Sequence, residues 1–238
     1  TGPAAAYPPG YYAPGVLLYD AVADDTIDQV RAVRLWSVLL GALAAVAAWF
    51  FAAEVFPRHR AAQAALVTAV ALQPMVAHQF AIVNNDALVI LAGFGTLWAG
   101  ARLARTARAP RLMLVAGLLV GLGMLGKPFA AVAALPVAIG WLLGKLHHRV
   151  RSVPVLAGEI GWAGLGVALT YGVWFVAARL LGVGTRVAFS GTSPDAGGLV
   201  DYLATQWDPA FAEFRQLWAA QFWGNFGWVD TPLPNLAY

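Results

Sequence analysis

Between Arg34 and Glu54 the chain carries no charged residue, and uncharged apolar runs of similar length recur along most of its sequence. A helix needs about 20 such residues to cross the hydrocarbon of a bilayer. Of the 238 residues, 60% are hydrophobic and 11% charged, against about 25% charged in a soluble domain. That leaves too little charge to cover a water-exposed surface. Soluble globular, disordered and collagenous classes are excluded, and an all-α integral membrane protein remains. Cysteine is absent, so there is no disulfide framework and no thiolate metal site.

Hydropathy predicts six spans at about 33–56, 61–83, 87–104, 112–126, 129–146 and 155–181. Pro57 closes the first, and Pro74 lies within the second, where a membrane helix tolerates it. Lys127-Pro128 alone separates the fourth from the fifth. Residues 1–32 read as an extracytoplasmic loop with an interfacial segment, 33–182 as the six-helix domain, and 183–238 as an interfacial tail. Prolines 3, 8, 9 and 14 argue against a regular helix over 1–15. The opening at Thr1, in a loop-like stretch, suggests a fragment of a longer chain.

Cytoplasmic loops retain Lys and Arg. Loops 57–60, 102–111 and 145–151 hold nine of the fifteen basic residues, while the opposite loops hold ten of the twelve acids. Both ends of the chain are therefore expected outside a bacterial inner membrane. The acidic end is where the chemistry is expected, because the basic loops are short and carry no phosphate-cradling motif. The stretch Gly117-Leu-Leu-Val-Gly121-Leu-Gly123 reads as close helix packing.

Several polar groups at the acidic end admit two readings. Asn84-Asn85-Asp86 suits a sugar or a proton in transit, and equally a helix boundary. Lys127 is expensive among apolar residues and suits a phosphate contact, or it is a snorkelling side chain at a turn. Arg31 and Arg34 suit an anionic lipid-linked substrate, or pair with Asp24, Asp25 or Asp28. His78 and Gln79 line a cavity or bond a neighbouring helix. Glu54 and Glu159 are expected to pair with loop arginines. Four histidines without ligand spacing give no zinc site, and nothing in the sequence requires a metal or another cofactor.

The tail holds amphipathic stretches 199–207 and 211–226; in the second, Phe211, Phe214, Trp218, Phe222 and Phe226 share a helical face. Trp223 and Asp230 place rings beside a carboxylate, a combination suited to carbohydrate and also to a membrane-interface belt.

Taken in order, Pro8-Pro9-Gly-Tyr11-Tyr12, Arg34-Leu-Trp-Ser-Val-Leu-Leu-Gly41, Phe56-Pro57, Val83-Asn-Asn-Asp-Ala-Leu88 and Leu125-Gly-Lys127-Pro128 resemble the bacterial membrane glycosyltransferases of the GT-C superfamily. The likeness is to the protein O-mannosyltransferases and aminoarabinose lipid A transferases. The ending Phe222-Trp-Gly-Asn-Phe-Gly-Trp-Val-Asp230-Thr-Pro-Leu-Pro234 is similar to a group of uncharacterised actinobacterial membrane proteins. The resemblance implies a polyprenyl-phosphate sugar donor and a cell-envelope glycan, lipid or protein acceptor, with membrane lipids around the chain and no nucleic acid partner. It implies Lys127 on the donor phosphate, with Arg34, Asn84 and Asn85 facing the same cavity. Arg31, Tyr11, Trp223 and Asp230 complete the expected substrate-binding set. Two departures stand out. Ala6 and Tyr7 replace the usual His or Gln before the Pro-Pro pair. The family's acidic motif follows a first transmembrane helix that is missing here, which puts the usual base upstream of Thr1. Within the chain, Asp86 is the carboxylate placed at the cavity, as the expected base in an inverting displacement.

Two other classes fit the composition. A non-catalytic polysaccharide-assembly subunit would keep the fold without a base. A lipid or solute transporter would carry polar groups through the midplane, and usually inverted repeats, which the two halves lack.

Overall fold

The computed structural model describes residues 7–22 and 25–183, and the backbone of 225–226 and 231–232. The first helix, α1, spans Tyr12–Ala21. Pro14 sits in its first turn, where the ring displaces no intrahelical hydrogen bond, so the prolines shorten this helix without abolishing it. Helix α2 covers Thr26–Val55 and is capped by the Asp25 side chain, which accepts from Ile27 N–H. It begins before the apolar run at Val33 because Asp28, Arg31 and Arg34 continue the helix into a polar environment. Helix α3 is Arg60–Leu72 and α4 is Pro74–Ala81.

The stretch expected as a single second span is broken. Its two helices are bent by 59° at Gln73. Pro74 has no N–H to extend α3, and the Gln73 side chain caps the new helix by accepting from Val76 N–H at 2.5 Å. Helix α5 spans Asp86–Leu103 and α6 spans Pro110–Gly126. Lys127 is extended (φ −144°, ψ 131°), a 3₁₀ segment covers Pro128–Ala133, and α7 follows over Ala134–His147. Helix α8 is Val153–Val167, continued through a π segment at Ala168–Gly172 into α9, Val173–Leu180.

Four of these stretches are long and apolar enough to cross a membrane: Thr26–Val55, Asp86–Leu103, Pro128–His147 and Val153–Leu180. The bent α3–α4 pair is a fifth if counted as one, and α6 is an apolar helix of 17 residues. In the tail, Asn225–Phe226 pairs antiparallel with Thr231–Pro232. The helical face expected over 211–226 therefore does not include Asn225–Phe226; its remainder lies outside the described residues.

Two features hold the bundle together. Glycines let helix backbones touch: a Cβ on Gly117 or Gly166 would run into the facing backbone of α8 or α6, and one on Gly100 or Gly140 would do so between α5 and α7. Within lipid, where apolar burial gives little drive, such contacts supply packing and interhelical attraction. A core cluster of Ala99, Leu103, Met113, Ala116, Val120 and Val137 fills the space between α5, α6 and α7. Leu35, Val38, Leu39, Leu142, Ile160 and Val176 are exposed on the outside, as lipid-facing residues are.

The loops sort by charge. Glu54 at the end of α2 pairs with Arg102 at 2.7 Å and Arg105 at 3.6 Å. Among the described residues Glu159 pairs with a lysine and with no arginine. It is buried against Lys145 (2.6 Å) and accepts from Trp141 Nε1–H and Ala109 N–H, both at 2.7 Å. An ion pair this deep needs every lone pair satisfied, and two neutral donors from separate elements do that here. These contacts gather the end of α2 with loops 102–111 and 145–151 at one end of the bundle.

Candidate functional site

The opposite end brings together residues from the N-terminal segment, α2, α4, α5 and the α6 terminus. Asp86 is the first residue of α5, so its carboxylate lies against the positive end of that helix. Its Oδ1 is 2.5 Å from Lys127 Nζ, and its Oδ2 accepts from Asn84 Nδ2–H at 3.1 Å. Asn84 Oδ1 in turn accepts from Asp86 N–H at 3.2 Å, which fixes the turn. The second Asn84 amide contact is with the Gln79 side chain from α4. Asn84-Asn85-Asp86 thus bounds α5, and the Asn84 and Asp86 side chains join one polar cluster.

Lys127 is positioned by its backbone. Its N–H donates to Gly123 O at 3.0 Å, ending α6, and its carbonyl accepts from Ala130 N–H at 2.9 Å, starting the 3₁₀ segment. The ammonium is 5.9 Å from the ring centres of both Tyr7 and Phe129. The side chain is mostly buried, with 18% of its surface exposed, against 25% for Asp86. Seventeen residues rise about 25 Å, less than the roughly 30 Å of hydrocarbon. An α6 this short ends at Lys127 before a full crossing, and the opposite charge of Asp86 offsets the desolvation of the ammonium.

Asn85 is buried, and its Nδ2–H donates to Gly126 O at 2.9 Å, tying α5 to the last turn of α6. That bond joins the residue before Asp86 to the residue before Lys127. Asn85 was expected to face the cavity; the close α5–α6 contact turns its amide onto backbone.

Tyr11 is fully buried. Ser37 Oγ–H donates to Ile82 O at 2.7 Å, which uses its single hydrogen. Tyr11 Oη, 2.6 Å away, therefore donates to Ser37 Oγ and accepts from Asn84 N–H at 3.1 Å. Burial pushes the Tyr11 phenol upward, opposed by these hydrogen bonds; burial also raises Tyr12, with a smaller contribution from the charge of Asp86. Trp36 Nε1–H donates to Tyr11 O at 3.1 Å, and Gly10 N–H donates to Leu125 O at 3.1 Å. A Cβ at Gly10 would collide with Leu125, so glycine lets the Pro-Pro-Gly-Tyr segment lie against α6.

Arg31 and Arg34 lie outside this network. Arg31 pairs with Asp28 at 2.8 Å, one of the two readings open for it. Both arginines line a separate shallow cavity of about 350 Å³ at the start of α2, with Thr26, Ile27 and Val30. Arg34, one turn before Ser37, is exposed and has no ion pair among the described residues. Trp223 and Asp230 lie outside the described residues, as does Asp24. Ser37, Tyr7 and Phe129 join the site without having been expected there, while Gln79, read as facing a cavity or a neighbouring helix, joins it through the Asn84 amide. The only prior signal for those three was their adjacency to Trp36, the Pro-Pro pair and Lys127. Among the described residues no cluster of three or more His, Asp or Glu side chains is arranged to hold a metal ion.

An all-helical bundle with several bilayer-length apolar helices defines a multi-pass membrane protein. The chain belongs to the family described as "Predicted membrane protein (DUF2142)", whose model matches residues 1–238. No curated protein and no solved structure matches it.

Proposed function

We propose that this chain is the membrane part of a glycosyltransferase that moves a sugar from a polyprenyl-phosphate donor to a cell-envelope acceptor at the outer membrane face. The observation that supports this reading is the Asp86–Lys127 pair, mostly buried at the acidic end of the bundle. Lys127 supplies a cation for the donor phosphate, and Asp86 supplies a carboxylate within reach of an acceptor hydroxyl. In the resting pair each neutralises the other. A bound lipid phosphate takes over Lys127, and Asp86 is then free to accept a proton.

The step this allows is a single displacement. The acceptor oxygen bonds to the anomeric carbon while its proton passes to Asp86. The bond from that carbon to the phosphate oxygen breaks, and the leaving lipid phosphate stays against Lys127. The Tyr11–Ser37 hydrogen bonds hold Asn84, and through it Asp86, in position.

Transfer by the complete chain in proteoliposomes tests the assignment. Asp86→Asn keeps donor binding and loses turnover by about 10²–10⁴-fold, the usual contribution of a general base. Turnover at the wild-type rate removes Asp86 from that role. A transporter reading draws on the break at Gln73, since transporters use discontinuous helices. Flux of a lipid-linked sugar across sealed vesicles without acceptor, unaffected by Asp86→Asn, would favour it.

A further inference from the structure

We propose that the basic end of the bundle carries a headgroup site for an anionic phospholipid, in the cleft between the last turns of α7 and the start of α8. This site is separate from the Asp86–Lys127 site: Lys127 precedes the Pro128–His147 stretch and the cleft lies at its far end. The cleft has a volume of about 330 Å³. Its walls divide by chemistry. Leu142, Leu146 and Leu156 are apolar, while Arg149 and Arg151 supply charge. Leu142 and Leu146 also continue onto the exposed face of α7.

The local charge balance makes this cleft cationic. Lys145 lines it too, but its ammonium is cancelled by Glu159 and also donates to Ala107 O at 2.6 Å. Glu159 is saturated by Lys145, Trp141 and Ala109, so it offers nothing to the arginines. Arg149 and Arg151 are exposed and make no ion pair among the described residues. Two uncompensated guanidiniums thus stand above a hydrocarbon-facing wall.

Backbone geometry holds them there. Arg149 has φ 54°, the left-handed conformation that usually selects glycine after a helix. The turn is closed by Val150 N–H donating to Lys145 O at 3.0 Å and Arg149 N–H donating to Leu146 O at 3.2 Å. This reversal returns the chain toward α8 and keeps both arginines on the cleft. A guanidinium pair matches phosphate oxygens in fork geometry, and the leucines match the acyl chains below them. A free phosphate would leave that apolar wall without a partner. Basic pockets between membrane helices bind anionic headgroups on the same physical grounds.

The test uses the purified complete chain in nanodiscs of equal phosphatidylcholine and phosphatidylglycerol, with co-purifying lipid measured by native mass spectrometry. Wild type retains phosphatidylglycerol over phosphatidylcholine by about tenfold. Arg149→Gln with Arg151→Gln brings the ratio near unity, while Arg58→Gln, at the same end but off the cleft, leaves it unchanged. Arg151→Gln alone spares the left-handed turn and gives an intermediate ratio, which covers the case where the double variant does not fold. Arg151→Gln binds the polyprenyl-phosphate donor as wild type does, so failure of the donor reading and failure of this one are distinguishable. No enrichment in wild type, an equal loss in Arg58→Gln, or displacement by millimolar inorganic phosphate would overturn the proposal.

Discussion

Tyr11 Oη lies 2.6 Å from Ser37 Oγ, and the bond between them joins the N-terminal segment to α2 beneath the Asn84–Asp86 turn. Ser37 spends its hydrogen on Ile82 O, so the proton between them belongs to Tyr11. Removing the Tyr11 hydroxyl leaves a buried Ser37 oxygen and the Asn84 N–H without their partner. Tyr11→Phe is therefore expected to cost about 1–3 kcal/mol of stability. Ser37→Ala is expected to cost a similar amount, and the double variant less than the sum. Unfolding in mixed micelles measures all three. Additive losses would mean the two groups act independently.

The same phenol sets a pH dependence. Burial holds Tyr11 protonated in the folded state above the ordinary value of 10.0. The folded state then binds this proton more tightly than the unfolded state. The resulting stability is fully present below the unfolded value and is lost as pH rises through the folded one. Wild type should lose stability relative to Tyr11→Phe as pH rises above about 10, and the difference between them should be flat from neutrality to that point. Melting curves across the alkaline range read this directly.

Helix contact predicts opposite outcomes for two glycines. Gly140→Ala places a methyl against the α5 backbone at Gly100, while Gly158→Ala meets nothing within 4 Å. The first should cost about 1–3 kcal/mol through overpacking. The second should be neutral or stabilising by up to about 1 kcal/mol, from helix propensity. Thermal stability in detergent separates them.

Breaking the buried Lys145–Glu159 pair should be severe. Lys145→Met strands Glu159 in the interior and is expected to cost about 3–5 kcal/mol. Lys145→Met with Glu159→Met should recover much of that loss, since no unpaired charge remains. Expression level and melting temperature of the two variants give the comparison.

Hydropathy located the helical stretches because transfer energy is local to each side chain. Charge sorting between loops was equally legible, and the Glu54 pairing with Arg102 and Arg105 agrees with it. Lys127 and Asp86 each stood out as costly polar residues, but their pairing did not, because it depends on how α5 and α6 pack. The glycines that set that packing are visible only as small residues. The break at Gln73 was missed because Pro74 is compatible with a kinked span as well as with a new helix; the glutamine cap decides it. Tyr11 was read from a motif and placed on substrate, whereas its buried hydroxyl serves the scaffold. Lys145 looked like one more loop cation until Glu159 and Trp141 enclosed it.

The central claim, that Lys127 receives a lipid phosphate and Asp86 competes for it, is tested most directly by donor binding. The complete chain in detergent is titrated with a polyprenyl-phosphate sugar, comparing wild type, Lys127→Ala and Asp86→Asn. The account predicts binding weakened at least about tenfold in Lys127→Ala, as expected for loss of a charge-assisted phosphate contact. It also predicts binding at least as tight as wild type in Asp86→Asn. Equal binding by wild type and Lys127→Ala would contradict it.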